Sequence, residues 1–139
     1  MSERARLLCC SNGSAHSARA VELACRMAPA LGLGLSFAVV NQLRPASGFP
    51  PIRTWPPEEA RRILEVAVRY ARSHGVQNVD AEMLEATDVA ACVIDYARTH
   101  DIAHIVVGTG NAPFIGRLLI GSVSEAIVSG AHCSVTVAR

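Results

Sequence analysis

Lysine is absent from this sequence of 139 residues, and all thirteen basic residues are arginine. A P-loop uses a lysine to reach the nucleotide phosphates, so that class of phosphate site is excluded. Schiff-base chemistry and lysine general bases are excluded for the same reason. The arginines are scattered along the chain and the net charge is +1. We therefore expect no nucleic-acid partner, since such a surface needs clustered positive charge.

Aromatic residues are also few: three Phe, two Tyr and one Trp. Hydrophobic residues still make up 50% of the chain, so the core must be mainly aliphatic. No apolar run approaches the roughly 20 residues of a membrane span, and the polar first residues show no secretory signal. We expect one domain over residues 1–139, located in the cytoplasm and without a membrane partner.

The cysteines and histidines form no metal-binding pattern. The five cysteines include no C-x-x-C pair, and no two histidines have the spacing of a metal-binding helix face. Ser14 and His16 stand two apart at a predicted helix start, where neighbouring side chains diverge, so Ser14 is predicted to be an N-cap. We predict neither a catalytic residue nor a metal site.

Five short apolar runs alternate with stretches of helical periodicity. Three of the runs are continuously apolar, which is typical of parallel strands covered on both faces. The helices are predicted after Ser14, over 57–74, from Thr87 as N-cap, and after Gly121. The order predicts a doubly wound α/β sandwich around a five-stranded parallel sheet. The predicted strands are Ala5–Ser11, Gly34–Val40, Asn78–Glu85, Ile102–Val107 and Ser134–Ala138.

The segment 44–57, RPASGFPPIRTWPP, interrupts this rhythm with five of the seven prolines and the single tryptophan. Its proline content favours a long loop over a helix or a central strand. Because it follows the second strand, it should lie at the carboxyl edge of the sheet, where such folds bind ligands. Long loops in compact domains are often functional, but a plain connection is the open alternative.

Two glycine-containing turns flank the segment VVGTGNAPFIGRLLIGS, residues 106–122. Gly108, Gly110 and Asn111 follow a predicted strand, and successive amides in such a turn can form an anion-binding concavity. Gly121 and Ser122 open the next helix, whose first N–H groups lack intrahelical partners. Two such turns could hold a di- or triphosphate without lysine.

A structural explanation competes with the phosphate site. The run SVSE, residues 122–125, matches a capping box, in which the side chains of Ser122 and Glu125 satisfy the helix start themselves. Short glycine patterns also recur in unrelated turns. Spacing alone leaves both interpretations open.

The layout resembles that of the universal stress protein family. The family's late motif is Gly, two residues, Gly, nine residues, then Gly and Ser or Thr, and Gly108, Gly121 and Ser122 stand at matching distances. The runs LLCCSNGSAHSARAVELA, ATDVAACVIDYARTHDIAHIVVG and AHCSVTVA are similar to the family's first unit, its third helix with fourth strand, and its closing strand. Two positions depart from the pattern: Asn111 replaces the second glycine, and Asn12 replaces an acidic residue.

The resemblance implies a Rossmann-like fold of the adenine nucleotide alpha hydrolase type and an ATP-binding, stress-response regulatory module with at most weak hydrolysis. Any Mg²⁺ would be carried by the phosphates. It also implies a homodimer formed through the C-terminal strand. The alternative is a dimeric interaction protein of the same family that binds no nucleotide, as some members do. The nucleotide-binding residues it indicates are Cys10, Ser11, Asn12, Val39, Gly108, Gly110, Asn111, Arg117, Gly121, Ser122 and Val123.

Overall fold

The structure, a computed structural model, describes residues 5–109 and 120–139, without the side chain of His16. Within these ranges the chain forms six strands and four helices. None of the helices in this part of the chain combines the length and apolar character needed to cross a bilayer. The elements are β1 Arg6–Cys10, α1 Ala15–Ala30, β2 Gly34–Ala46, β3 Phe49–Arg53, α2 Pro57–Ser73, β4 Val79–Ala86, α3 Val89–Thr99, β5 Ile102–Gly108, α4 Ser122–Gly130 and β6 Ser134–Ala138.

Five of the strands form the expected parallel sheet, in the order β4-β2-β1-β5-β6. In the centre, Leu8 of β1 lies opposite Ser36 of β2 and Ile105 of β5. The strand β4 pairs only with β2 among the described residues, so the run VDAEMLEA, in which apolar and polar residues alternate, is an edge strand. The doubly wound α/β fold is therefore confirmed.

A sixth strand, β3, corrects the prediction of five strands and of a loop over 44–57. β2 continues to Ala46, turns at Ser47 and Gly48, and returns as the antiparallel strand β3. Gly48 has φ +75°, a conformation that glycine adopts readily. Pro50 and Pro51 lie within β3, and among the described strands β3 pairs only with β2, so their missing N–H groups are tolerated at an edge.

The helices cover both faces of the parallel sheet. α1 and α2 pack on the face that carries Phe37 and Val39, and α3 and α4 pack on the face that carries Ala38 and Ile105. Successive residues of a strand point to opposite faces, so the continuous apolar runs supply both cores. The prediction that both faces are covered is confirmed.

Two details of the helices differ from the predictions. Asp88, rather than Thr87, caps α3 by accepting a hydrogen bond from the Ala91 N–H at 3.0 Å. In α2, the periodicity of 57–74 predicts a buried face that includes Val66 and Ala67. Val66 is instead 60% exposed, whereas Leu64 is buried. Successive residues of a helix differ by about 100° in direction, so a rotation of the assigned face by about 60° moves Val66 out of the core and Leu64 into it.

Candidate functional site

The chain leaves β1 and β5, which are neighbouring strands, towards opposite faces of the sheet. β1 leads into α1 on one face and β5 leads towards α4 on the other. The two connections therefore diverge and leave a crevice beyond the carboxyl ends of the strands. Such a switch point is where open α/β sheets bind their ligands.

The turn after β1 forms one wall of the crevice and is held by local hydrogen bonds. The Ser14 N–H donates to Asn12 Oδ1 at 3.0 Å, and Ser14 Oγ accepts from the Ser17 N–H at 3.2 Å. The second contact confirms Ser14 as the N-cap of α1. Gly13 has φ +78°, and a Cβ there would stand 3.2 Å from Ile63. The turn thus requires glycine for its backbone angle and is tightly packed against α2.

The opposite wall is formed where β5 ends and α4 begins. The Gly121 N–H donates to the carbonyl of Thr109, and the buried Ser124 Oγ donates to the Gly108 carbonyl at 2.8 Å. These contacts place Gly108 and Thr109 beside Gly121 and Ser124. They also fix the start of α4 against the end of β5.

The predicted capping box at 122–125 does not form. Gly121 is the N-cap of α4, Ser122 is already its first helical residue, and no side chain in the described part of the chain caps the helix. In a capping box Ser122 would have to be the N-cap, the position just before the first helical residue. The first N–H groups of α4 have no intrahelical acceptor. They therefore keep their capacity to donate to a ligand.

The crevice is a cleft of about 750 Å³, within the size range of small-molecule sites. Seven of the eleven residues predicted from the sequence line it. They come from the β1 turn, the end of β5 and the first turn of α4, which are far apart in the chain. These residues are Cys10, Ser11, Asn12, Gly108, Gly121, Ser122 and Val123.

Of the other four predicted residues, the structure describes only Val39, which does not line the cleft. Val39 is fully buried under α1 and α2, and its neighbour Val40 lines the cleft instead. Because side chains alternate along a strand, a shift of one residue exchanges the two faces. The predictions for Gly110, Asn111 and Arg117 lie outside the described residues.

Four further lining residues come from β2 and from the chain just after β3. Three of them belong to the segment 44–57, which was expected at the ligand-binding edge of the sheet, but none of the four was named as a site residue. The Thr54 N–H donates to the Gln42 carbonyl at 3.1 Å, which holds this segment beside β2. The Ser-Gly dipeptide at 47–48, a recognised turn signal, could have indicated the hairpin. The prolines on either side of this dipeptide favoured a loop over a strand, so the hairpin was not predicted. The four residues are Gln42, Arg44, Thr54 and Trp55.

The cleft contains two charged side chains and one cysteine thiol, and the thiol is not suited to nucleophilic chemistry. Arg44 supplies a cation, and Glu125 in the first turn of α4 supplies a carboxylate. Burial, with a smaller contribution from the nearby Cys92, raises the pKa of the Cys10 thiol to about 12. Since the thiolate is the reactive form, Cys10 is a poor nucleophile at neutral pH.

Comparison with known proteins agrees with this architecture. The model of the universal stress protein family matches residues 3–139. The chain belongs to the universal stress protein family. Universal stress protein MJ0531 of Methanocaldococcus jannaschii is 28% identical over 135 residues, which is 93% of this chain and 78% of that protein.

Two solved structures of universal stress proteins share the fold. One, crystallised in complex with cAMP, has a TM-score of 0.75 and 22% identity, with 99% of this chain and 98% of that chain covered. The other, from Archaeoglobus fulgidus in complex with dAMP, has a TM-score of 0.74 and 19% identity, with 97% and 98% covered. At these identities the similarity establishes the fold.

Proposed function

We propose that this universal stress protein is a regulatory module of the stress response that binds an adenine nucleotide, with ATP as the expected ligand. The observation that carries the proposal is the cleft at the β1/β5 switch point, with the uncapped first turn of α4 as one wall. Universal stress proteins of the same fold have been crystallised with cAMP and dAMP, which supports the choice of an adenine nucleotide. We take the chain to be a single cytoplasmic domain.

The phosphates would bind at the α4 end of the cleft. The N–H groups of Ser122 and Val123 stand at the start of a nine-residue helix, where unpartnered amides and the helix dipole favour an anion. Arg44 would add positive charge from the other side. Gly108, Gly121 and the residues predicted between them, Gly110, Asn111 and Arg117, complete the proposed phosphate site. Mg²⁺, if bound, would be held mainly by the phosphates.

The nucleoside would lie towards the β1 turn, against Cys10, Ser11 and Asn12. The Asn12 carboxamide accepts a hydrogen bond from the Ser14 N–H, so its oxygen is partly committed to the turn. Its amide N–H₂ group can still donate to a ligand. Val39, predicted at this site from the family resemblance, could contribute only through its backbone, because its side chain is buried.

We propose little or no hydrolysis of the bound nucleotide. Among the described residues that line the cleft, Glu125 is the single carboxylate and no histidine is present. A general base must reach the proton it abstracts, and one exposed carboxylate without a partner group gives a weak basis for turnover. Release of inorganic phosphate from ATP should therefore be slow, and Glu125→Gln should leave this slow rate nearly unchanged.

Titration calorimetry and thermal unfolding with ATP, AMP and GTP test the proposal. A ligand at 100 times its Kd stabilises the folded state by about 2.7 kcal/mol. For a domain of this size, that gain corresponds to a rise in Tm of roughly 5–20 °C. No heat of binding and no shift in Tm at millimolar ATP, with the protein folded, would reject the proposal.

The edge of β6 favours a second candidate, a dimeric interaction protein that binds no nucleotide. β6 pairs with β5 alone among the described strands, and an unpaired strand edge is a site of association. We propose a homodimer through β6 under either function. Light scattering at tens of micromolar should give twice the chain mass of 14.7 kDa, and a monomer would contradict it. A dimer without ATP binding would favour the second candidate.

A further inference from the structure

Trp55, the single tryptophan of the chain, lines the cleft together with the turn after β1 and the first turn of α4. It follows β3, in the segment that the sequence marks as unusual for its prolines. Its side chain is partly buried and packs against the core under α1 and α2. Trp55 is thus in contact with the core and also forms part of the cleft wall.

A buried asparagine holds the backbone of Trp55 in place. Asn41 is fully buried. Its Nδ2 donates to the Trp55 carbonyl at 2.8 Å, and its Oδ1 accepts from the Trp55 N–H at 3.0 Å. Both polar backbone groups of Trp55 are satisfied by one side chain, so the backbone that carries the indole is fixed before any ligand binds. Such preorganisation reduces the entropic cost of binding.

The space next to Trp55 has both apolar and charged walls, the latter from Glu22, Glu59 and Arg62. This space is a second cleft of about 360 Å³ between α1 and α2, and it shares Trp55 and the residues of the β1 turn with the first. Its walls include the apolar side chains of Val21, Ile63 and Ala67. A ligand with an anionic end and an aromatic end would therefore place the anion at Ser122 and the aromatic group at Trp55.

We propose that Trp55 stacks on the purine base of the bound nucleotide and determines its preference for a purine over a pyrimidine. The proposal rests on the proposed function and adds the residue that recognises the base. A tryptophan presents a large aromatic face, and stacking between a base and an aromatic side chain is a main source of affinity for nucleobases. Purines offer the larger surface for this contact, so ATP should bind more tightly than CTP.

The first test is calorimetry with a pair of matched variants. Trp55→Phe keeps an aromatic face, whereas Trp55→Leu keeps apolar volume against the core but removes the face. We expect Trp55→Leu to weaken ATP binding about tenfold or more, and Trp55→Phe to weaken it less. Phe49→Leu is the control, because Phe49 lies on the same hairpin, is 77% exposed and is not among the lining residues. Affinity for inorganic triphosphate, which has no base, should be equal in all four proteins.

The second test uses the wild-type protein and does not depend on the variants folding. Because Trp55 is the single tryptophan, its fluorescence reports directly on this site. ATP should change the emission at the concentrations that saturate binding by calorimetry, and inorganic triphosphate should not. ATP binding with unchanged emission and unchanged affinity in Trp55→Leu would overturn the inference while leaving the proposed function intact. No ATP binding by the wild-type protein would overturn both.

Discussion

Replacement of Ser122 by proline would remove one main-chain N–H from the proposed phosphate site while keeping the helix. Ser122 is the first residue of α4, and proline is well tolerated at that position because its N–H has no intrahelical acceptor. Gly121 has φ −72° and ψ 163°, an extended conformation that suits a residue before proline. The free energy of unfolding should therefore change by no more than about 0.5 kcal/mol.

The expected loss of affinity follows from the missing hydrogen bond. A hydrogen bond to a charged group contributes about 1.5–3 kcal/mol, which corresponds to a rise in the Kd for ATP of roughly 10- to 150-fold. Ser122→Ala is the matched control, because it removes the hydroxyl and keeps the N–H. Titration calorimetry on both variants, with urea unfolding to confirm their stability, measures the difference. Equal ATP affinity in two folded variants would refute the role of this amide.

Three further predictions concern other parts of the molecule. Arg44→Gln should weaken ATP binding several-fold at low salt and less at high salt, whereas Arg72→Gln, on the last turn of α2, should not; calorimetry at two ionic strengths checks this. Gly34→Ala should lower the free energy of unfolding by about 1–3 kcal/mol, because the new Cβ would stand 2.8 Å from Arg6 Cζ. Urea unfolding tests this, and wild-type stability would contradict it. The Cys10 thiol, whose pKa is raised from 9.0 to about 12, should make the folded state progressively less stable as pH rises from 9 towards 12. Urea midpoints across that range should fall less steeply with pH in Cys10→Ala than in the wild-type protein. Parallel pH dependences in the two proteins would contradict the raised pKa of Cys10.

Hydrophobic periodicity predicted most of the fold because both faces of the sheet are buried. The continuous runs in β1 and β5 leave no ambiguity about strand identity, and their ends are within a residue or two of the prediction. Periodicity was a weaker guide to which face of a helix is buried. Val66 was expected inside but is exposed, while Leu64 is buried, since the amphipathic pattern of α2 also fits a slightly rotated face.

The candidate site was predictable where it depends on the turns and not where it depends on long-range packing. The turn at Gly121–Ser122 follows from local signals, whereas Ser11 and Asn12 were indicated by the family resemblance, and the structure brings these residues to one cleft. The contribution of Trp55 was missed because it depends on a hydrogen-bonded contact with Asn41, fourteen residues earlier in the chain. Prolines in β3 are compatible with that hairpin because the strand is at an edge.

A crystal structure of the complex with AMP would test the central claim most directly. We predict that the phosphate lies in the cleft between the ends of β1 and β5, with its oxygens within about 3 Å of the main-chain nitrogens of Ser122 and Val123. A nucleotide bound elsewhere, or these N–H groups turned away from the phosphate or blocked by the side chain of Asn111, would contradict the account.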